Sequence, residues 1–351
     1  MKIQLSRKWL YCIPGIIVLA AVIVLFAMDA ADDNTAYDMP APGEGTGEVV
    51  EAVPQSAENI MNTVAYYQDD NGYLVPVMRS IRAEQGVAKA TLNLMVKSVY
   101  NDMEAARLGL RCLIPENTRI DLDISDGTAT LDVSGEIMNA PSAMDEYNMV
   151  NAIVQTLTDF PTVERVNFLV NGKKTEKLTH GTDVSRTFEK GYMNLESGEA
   201  GGSAKAVTLY FTGDSPAMIV PVTRLVYGSN DISTAVLELV KGPGDISPLN
   251  RVIPAGCGLK SVYVENGVAY VDFTKEFINI AEESDGGRLA LRALVLTCLQ
   301  FDGVKSVKVL VEGEVYDTGE GTLAKPTFIN SAIDIEDAFI REKSTEIFEF
   351  E

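Results

Sequence analysis

The same pattern of apolar residues occurs twice in this chain, and the repetition constrains the fold more than any other feature. The first series is Thr156, Leu157, Phe160, Val163, Val166, Leu169, Val170 and Gly172. The second series keeps the same spacing: Thr297, Cys298, Phe301, Val304, Val307, Leu310, Val311 and Gly313. Such a match at one constant offset is not expected by chance, so the sequence predicts two copies of one domain. Copies of about 120 residues are large enough to close a core of their own.

An uncharged apolar run near the amino terminus predicts a membrane anchor. Residues 9–28 carry no charge, and a helix of this length spans the roughly 30 Å of bilayer hydrocarbon. Basic residues precede the run and acidic residues follow it: Lys2, Arg7 and Lys8, then Asp29, Asp32 and Asp33. The positive-inside rule therefore predicts a cytoplasmic tail at 1–8, a transmembrane anchor at 9–28 and an extracytoplasmic remainder. A cleaved signal peptide is the alternative.

Polar segments separate the parts of the chain. Residues 29–60 are rich in Asp and Glu and contain no Lys or Arg, and such a composition buries too little apolar area to offset the entropy of ordering. We expect an acidic flexible linker there, a Gly-rich linker at 189–204 and an acidic tail at 331–351. The two domains are predicted at 61–188 and 205–330.

The second copy has the clearer secondary-structure pattern. Two strands open it, and Pro221 in the second strand suits a sheet edge. Asp231 is placed to cap a helix of period 3.6 that Gly242 ends. Alternating residues around Asn266 and Gly267 predict a hairpin. A second helix and a final strand follow at 288–301 and 304–311.

The first copy shows the same order of elements. Its edge strand contains Pro76, its first helix is predicted at 87–100, and its hairpin turns at Asp126 and Gly127. The second helix and last strand are predicted at 145–160 and 163–170. Each copy therefore has the order β-β-α-β-β-α-β, which predicts an α+β fold. We expect a small antiparallel or mixed sheet with two helices on one face.

The residues of the second copy resemble the GERMN (GerM) domain of sporulation and spore germination proteins. The resemblance lies in residues 219–224, 239–243, 253–254, 271–273 and 297–313. The first copy matches more weakly, at residues 75–79, 114–115, 131–132 and 163–172, and has Lys97-Ser98-Val99 where the second has Lys-Gly-Pro. The resemblance implies a compact domain akin to the ring-building modules of secretion-type complexes. It also implies work in the assembly of a channel or bridge between mother cell and forespore.

Charge and cysteine content exclude some classes of protein. The chain has 50 acidic and 29 basic residues, for a net charge of -21, which disfavours nucleic acid as a partner. Cys12 lies in the apolar run, and Cys112, Cys257 and Cys298 leave an odd number outside it, so no disulfide framework is implied. Buried free thiols are expected, and a bridge between Cys257 and Cys298 remains an alternative.

Few residues have the spacing that catalysis or cofactor binding needs. His180 is the single histidine, so it cannot form a histidine metal cluster, and we expect it on a surface loop. The glycines around Cys257 lack phosphate-loop spacing. The acidic residues before Gly127 fit a strand better than a calcium loop. We therefore expect no cofactor and no metal.

Some residues recur at matching positions in both copies, and we interpret them as structural: Asp132 and Asp272, Pro115 and Pro254, and Gly172 and Gly313. Each aspartate is expected to cap the turn that follows its strand. A pair of acids such as Asp272 and Glu276 could also cleave a glycoside, but the recurrence of the copies favours a scaffold.

Together these features predict a non-enzymatic, single-pass membrane protein that acts in sporulation or germination. Its expected partners are other sporulation envelope proteins, including ring or channel components. The strand edges at Pro76, Arg79, Pro221 and Arg224 are the candidate interface. Binding of cell-wall glycan or a small germinant is the alternative, and a cell-wall hydrolase is a weaker one.

Overall fold

The computed structural model describes residues 60–82, 86–196, 203–213, 218–282, 287–318 and 321–324. These residues belong to one compact unit that starts at Ser56. The predicted tail, anchor and acidic linker at 1–59 lie outside the described residues, as does the acidic C-terminal tail. Among the residues that are described, no helix is both long enough and apolar enough to span a bilayer.

The first copy contains seven strands and three α-helices among its described residues. The strands are β1 (Ile60–Asp69), β2 (Leu74–Arg82), β3 (Leu110–Arg111), β4 (Ile120–Ser125), β5 (Thr128–Val133), β6 (Arg165–Val170) and β7 (Phe188–Glu189). The helices are α1 (Val87–Asn93), α2 (Val99–Ala106) and α3 (Ala143–Thr158), with a 3-10 helix at Gly135–Asn139.

The second copy repeats this order with one helix fewer in its described part. Its strands are β8 (Ala204–Thr212), β9 (Ile219–Tyr227), β10 (Leu259–Glu265), β11 (Val268–Phe273), β12 (Ser306–Val311), β13 (Glu314–Val315) and β14 (Leu323–Ala324). Its helices are α4 (Ile232–Lys241) and α5 (Arg288–Cys298), with a 3-10 helix at Lys275–Glu282. The predicted order β-β-α-β-β-α-β is confirmed here.

Each copy has two sheets, whereas the sequence predicted one. In the first copy the antiparallel sheet has the order β2-β1-β3, and the mixed sheet has the order β4-β5-β6-β7. The second copy has the pair β8-β9 and the mixed sheet β10-β11-β12-β13, with β14 also on β12. Strand β5 is parallel to β6 and β11 is parallel to β12, which requires a crossover that α3 and α5 supply.

The helices contact both sheets of their copy, so the expected packing on one face of a single sheet is wrong. Helix α3 contacts β1 and β6, and α5 contacts β8 and β12. The helices are apolar enough to bury more than one stripe, as in α5, where every residue from Ala293 to Cys298 is buried. Buried apolar side chains of both copies form one continuous cluster.

The predicted helix and hairpin signals of the second copy are confirmed. The Asp231 side chain accepts a hydrogen bond from the N–H of Thr234 at the start of α4. Gly242 follows the helix with φ of 87°, where a Cβ atom would meet the guanidinium of Arg251. Asn266 and Gly267 both have positive φ, as the two-residue turn of a hairpin requires.

The first helix of the first copy is shorter than predicted. The sequence predicted one helix over 87–100, but α1 ends at Asn93 and α2 begins at Val99. The Ser98 side chain accepts from the N–H of Asn101 and so caps α2. The Asn101 amide donates to the carbonyls of Asn93 and Val96. The Ser98 cap therefore begins a second helix at the place where the other copy has Gly-Pro.

Candidate functional site at the junction of the two copies

The segment that joins the two copies is bound to strand β9. The N–H of Thr223 donates to the carbonyl of Met193 at 3.0 Å, and the N–H of Glu196 donates to the carbonyl of Thr223 at 2.9 Å. Leu195 pairs with Thr223 in a parallel bridge. The described part of the predicted linker 189–204 thus covers the outer edge of β9 with its own backbone.

Asn194 in this segment joins the first copy to the second. Its Oδ1 accepts from the N–H of Leu74 at 2.8 Å. Its Nδ2 donates to the carbonyl of Leu74 and to the carbonyl of Pro221, each at 2.7 Å. The Asn194 amide therefore pairs with β2 as a neighbouring strand would, while its backbone segment pairs with β9. Its φ of 50° is one that asparagine adopts more readily than most residues.

Arg224 binds the end of the same segment. Its guanidinium holds Glu196 through Nε at 2.6 Å and Nη2 at 3.0 Å, and Nη1 lies 3.2 Å from the carboxylate of Glu238. All three side chains are largely buried. Burial lowers the pKa of Arg224, but the hydrogen bonds and charges of Glu196 and Glu238 outweigh it and raise that pKa. This network fixes the linker against helix α4.

The four residues of the candidate interface lie at matching positions of the two copies. Pro76 pairs with Tyr66 in the strand register, and Pro221 pairs with Tyr210. Both prolines are buried. Arg79 lies over the ring of Tyr67 and Arg224 over the ring of Phe211, each at 5.9 Å. Pro221 and Arg224 make contacts within the chain, and a partner surface at these positions stays a prediction.

A cluster of polar groups lies beside the junction. The hydroxyl of Tyr66 donates to Oδ2 of Asp159 at 2.7 Å, and Lys190 pairs with Oδ1 of the same carboxylate. Burial, followed by the nearby Asp159 charge, raises the pKa of Tyr66 well above its usual value. The same causes raise the pKa of Tyr210 to about 12. Both tyrosines are therefore neutral at physiological pH.

A cavity of about 300 Å³ separates the copies next to this cluster. Its walls come from three parts of the chain: Tyr66 and Gln155 of the first copy, Lys190 and Tyr192 of the linker, and Thr208, Tyr210 and Gln300 of the second copy. The Gln300 amide accepts from the N–H of Thr208 and donates to its carbonyl. Gln155 donates to the carbonyl of Gly191 at 2.8 Å. Its buried Oε1 has no partner among the described residues.

The recurring aspartates bind a different turn from the one that the sequence predicted. We expected them to cap the short helix that follows their strand. Instead, Oδ1 of Asp132 accepts from the N–H of Gly172 at 2.8 Å, and Oδ1 of Asp272 accepts from the N–H of Gly313 at 3.0 Å. Each glycine lies in the turn after the neighbouring parallel strand, with φ of 72° and 85°. The aspartate therefore ties the end of one parallel strand to the next.

The recurring prolines begin equivalent turns. The carbonyl of Pro115 accepts from the N–H of Thr118 at 3.3 Å, and the carbonyl of Pro254 accepts from the N–H of Cys257 at 3.2 Å. The third residue of the turn has positive φ in both copies, Asn117 at 65° and Gly256 at 81°. Gly256 beside Cys257 thus serves a turn.

The remaining candidates have structural positions. His180 lies on an exposed turn, and its N–H and that of Thr182 donate to the buried carboxylate of Glu146 at 2.7 and 2.9 Å. Cys112, Cys257 and Cys298 are buried and free, so the alternative bridge is not formed. In the described part of the chain, no group of residues is arranged to hold a metal ion.

Glu276 of the hydrolase alternative and its counterpart Glu136 have lowered pKa values, whereas a general acid needs a raised one. A hydrogen bond from the hydroxyl of Thr274 lowers the pKa of Glu276. The hydroxyl of Ser134 likewise lowers the pKa of Glu136 in the first copy. Asp272 is bound by Gly313, as described above. The arrangement holds turns in place rather than separating two carboxyl groups into acid and base.

Sequence reasoning missed Asn194, Gln155 and Lys190. A signal existed for the first two. Asn194 is an asparagine in a Gly-rich segment, where positive φ is common. Gln155 is a polar residue between Val154 and Leu157, both on the buried side of α3. Neither signal identifies the partner, since the contacts of Asn194 with Leu74 cross 120 positions of sequence.

The comparisons with known proteins agree with this architecture. Residues 64–176 and 208–317 each match the family model Germane, described as sporulation and spore germination. The chain is 28% identical over 326 residues to the spore germination protein GerM of Bacillus subtilis (strain 168), and the match covers 88% of each protein.

A solved structure shows the same tandem arrangement. The tandem GerMN domains of the sporulation protein GerM from Bacillus subtilis match with a TM-score of 0.66 at 26% identity. The match covers 78% of this chain and 99% of that chain. The resemblance predicted for the second copy, and more weakly for the first, is thus confirmed in both copies. The chain belongs to the Germane family of sporulation and spore germination proteins.

Proposed function

We propose that this chain is a non-enzymatic envelope protein of sporulation and spore germination. Its two domains act as protein-interaction modules in a complex between mother cell and forespore. Residues 9–28 anchor it in the membrane and leave both domains on the extracytoplasmic side. Family membership supports the sporulation role, and the charge pattern around residues 9–28 supports the topology.

The observation that carries this proposal is the junction. Asn194, Arg224 and the backbone of 193–196 tie the two copies together, so their surfaces have fixed relative positions. A fixed pair of surfaces suits assembly, because a partner then meets both domains without ordering a linker.

An exposed apolar surface on helix α2 supports protein binding. Val99 is 92% exposed, Tyr100 62% and Met103 55%, and the three lie on adjacent turns of the helix. The residues described between α4 and β10 contain no counterpart of this helix. Grouped exposed apolar side chains mark interaction sites. We assign this α2 surface, defined by the three residues, to contact with another envelope protein.

Gene deletion with complementation in the host tests the proposal. Loss of the gene should lower the yield of heat-resistant spores or delay germination, and the intact gene should restore both. A triple variant, Val99→Ser, Tyr100→Ser and Met103→Ser, should complement poorly although it folds. The matched control is Ile246→Ser, which changes a side chain that is 91% exposed in the second copy and should complement fully.

Two results would contradict parts of the proposal. Normal spore yield and germination in the deletion strain would remove the sporulation role. Full complementation by a chain that lacks residues 1–28 but still carries a cleavable export signal would remove the anchor. Membrane fractionation of the same strains shows whether each variant reaches the membrane.

A further inference from the structure

We propose that the cavity between the two copies binds one neutral sugar unit. This activity goes beyond the envelope role and does not depend on it. The cavity exists only where the copies meet, since its walls include Gln155 of the first copy and Tyr210 of the second.

The size of the cavity suits such a ligand. Its volume is about 300 Å³, at the lower end of the range for small-molecule sites. Water occupies about 30 Å³ per molecule in the liquid, so the cavity holds on the order of ten waters. A single sugar ring with its substituents displaces a similar volume.

The charges of the cavity wall favour a neutral ligand. The ammonium group of Lys190 is paired with Asp159, and the same carboxylate accepts from the hydroxyl of Tyr66. The raised pKa values of Tyr66 and Tyr210 keep both hydroxyls uncharged. The described residues of the wall therefore offer no unpaired charge to either an anion or a cation.

The polar groups of the wall favour a ligand with hydroxyl or amide donors. Gln155 is buried, lines the cavity and has an acceptor oxygen without a partner among the described residues. A buried acceptor without a donor is unfavourable. This oxygen is closed to solvent, so a ligand hydroxyl or N–H group satisfies it once the Gln155 amide turns towards the cavity. Tyr210 contributes a hydroxyl that donates and accepts.

Aromatic side chains at the cavity suit the apolar face of a sugar ring. Tyr192 in the linker is 59% exposed, and Tyr66 and Tyr210 stand at matching positions of β1 and β8. Small-ligand sites combine aromatic surface with a few placed polar groups. A sugar has one C–H face for the rings and a rim of hydroxyls for Gln155 and Tyr210.

The test measures binding of N-acetylglucosamine and glucose to the full chain in a detergent without a sugar headgroup. Saturation-transfer NMR and a titration should detect weak, saturable binding of at least one sugar. Tyr210→Phe keeps the ring and removes one hydroxyl, so affinity should fall about tenfold. Gln155→Leu should lower it at least as much. The matched control Tyr263→Phe removes an exposed hydroxyl of β10, outside the cavity wall, and should bind as the unchanged protein does.

Defined outcomes overturn the proposal. The first is the absence of a saturable signal from either sugar, and the second is equal sugar affinity of Tyr210→Phe and Tyr263→Phe. The third concerns L-alanine, a small ligand that is not a sugar: it would bind, and Tyr210→Phe and Gln155→Leu would weaken this binding as they should weaken sugar binding. If Gln155→Leu does not fold, Tyr210→Phe alone decides. Spore yield of the Tyr210→Phe strain separates the two proposals, because loss of sugar binding with normal sporulation leaves the envelope role intact.

Discussion

The two copies place an arginine at the same position of their second strand, but the two arginines have different partners. Arg79 and Arg224 each lie 5.9 Å from the centre of an aromatic ring. Arg224 also holds two carboxylates and donates to the carbonyls of Glu238 and Gly242. Arg251 donates to the carbonyls of Val240 and Lys241. In the second copy, arginines therefore cap the end of the first helix.

The first copy ends its corresponding helix by another route. Helix α1 stops at Asn93, and the amide of Asn101 donates to the carbonyls of Asn93 and Val96. The ring contact is common to both copies, whereas the ion pairs occur where the linker reaches the second copy. The same residue type thus has a local role in one domain and a joining role in the other.

The largest expected effect comes from removing the arginine with the most partners. Arg224→Met leaves the carboxylate of Glu196 buried without a cation, whereas Glu238 keeps its pair with Lys241, so the free energy of unfolding should fall by about 3 to 5 kcal/mol. Arg79→Met is the matched variant and loses a cation–π contact, worth about 1 kcal/mol. Denaturant unfolding of the full chain, followed by circular dichroism, measures both. Equal losses of unfolding free energy in the two variants would show that both arginines contribute equally to stability.

Removal of the junction amide should break the coupling between the copies. Asn194→Ala loses three hydrogen bonds of about 1 kcal/mol each, so stability should fall by about 3 kcal/mol and the single unfolding transition should separate into two. Asn194→Gly is the control for backbone strain, since glycine tolerates the φ of 50° without a Cβ. A single transition in both variants would mean that other contacts couple the copies.

A buried carboxylate of the first copy should give that copy its own pH dependence. Two backbone N–H groups bind Glu146; burial raises its pKa, but these bonds outweigh burial and lower it. Gly287 stands at the matching position of the second copy. Glu146→Gln should lower stability by about 2 kcal/mol at pH 7.

The sign of this pH effect follows from the lowered pKa. The stabilisation is complete above the unfolded pKa of about 4.3 and is lost as the pH falls through the folded-state value. The difference between the unchanged protein and Glu146→Gln should therefore be constant from about pH 6 to 8 and shrink in acid. A difference that grows in acid would contradict this assignment. Unfolding curves at several pH values provide the measurement.

The smallest expected loss of stability comes from a hydrogen bond that both copies share, between an aspartate and a turn glycine. Asp132→Ala and Asp272→Ala each remove one hydrogen bond to a turn glycine. Each change should lower stability by about 1 kcal/mol, and the two losses should agree. Hydrogen exchange of the N–H groups of Gly172 and Gly313 reports the same bonds directly. A large loss in one copy alone would show that the shared turn has diverged in strength.

Local signals in the sequence predicted most of the elements. The hairpin turns at Asp126-Gly127 and Asn266-Gly267 have positive φ at both residues, which few other residue pairs adopt readily. Asp231 lies at the start of α4 and Gly242 at its end, as predicted. These predictions succeeded because each turn or cap depends on residues a few positions apart.

Contacts between distant parts of the chain could not be predicted in this way. Periodicity predicted strands but not their division between two sheets, because pairing depends on partners far along the chain. The break between α1 and α2 was not predicted from residues 97–99, because Ser98 is compatible both with the interior of a helix and with a capping position. The junction was missed because the partners of Asn194, Leu74 and Pro221, lie in different copies.

The side-chain amides at Leu74 and Thr208 have a consequence for self-association. Asn194 and Gln300 occupy the backbone donor and acceptor of these residues, so at those points a foreign strand finds no open hydrogen-bonding groups. Strands β4 and β10 lie at the ends of the mixed sheets. Among the contacts described, no side-chain amide occupies their backbone N–H and carbonyl groups in this way. Strand pairing between molecules of this protein should therefore begin at the edge strands β4 and β10 rather than at the junction between the copies.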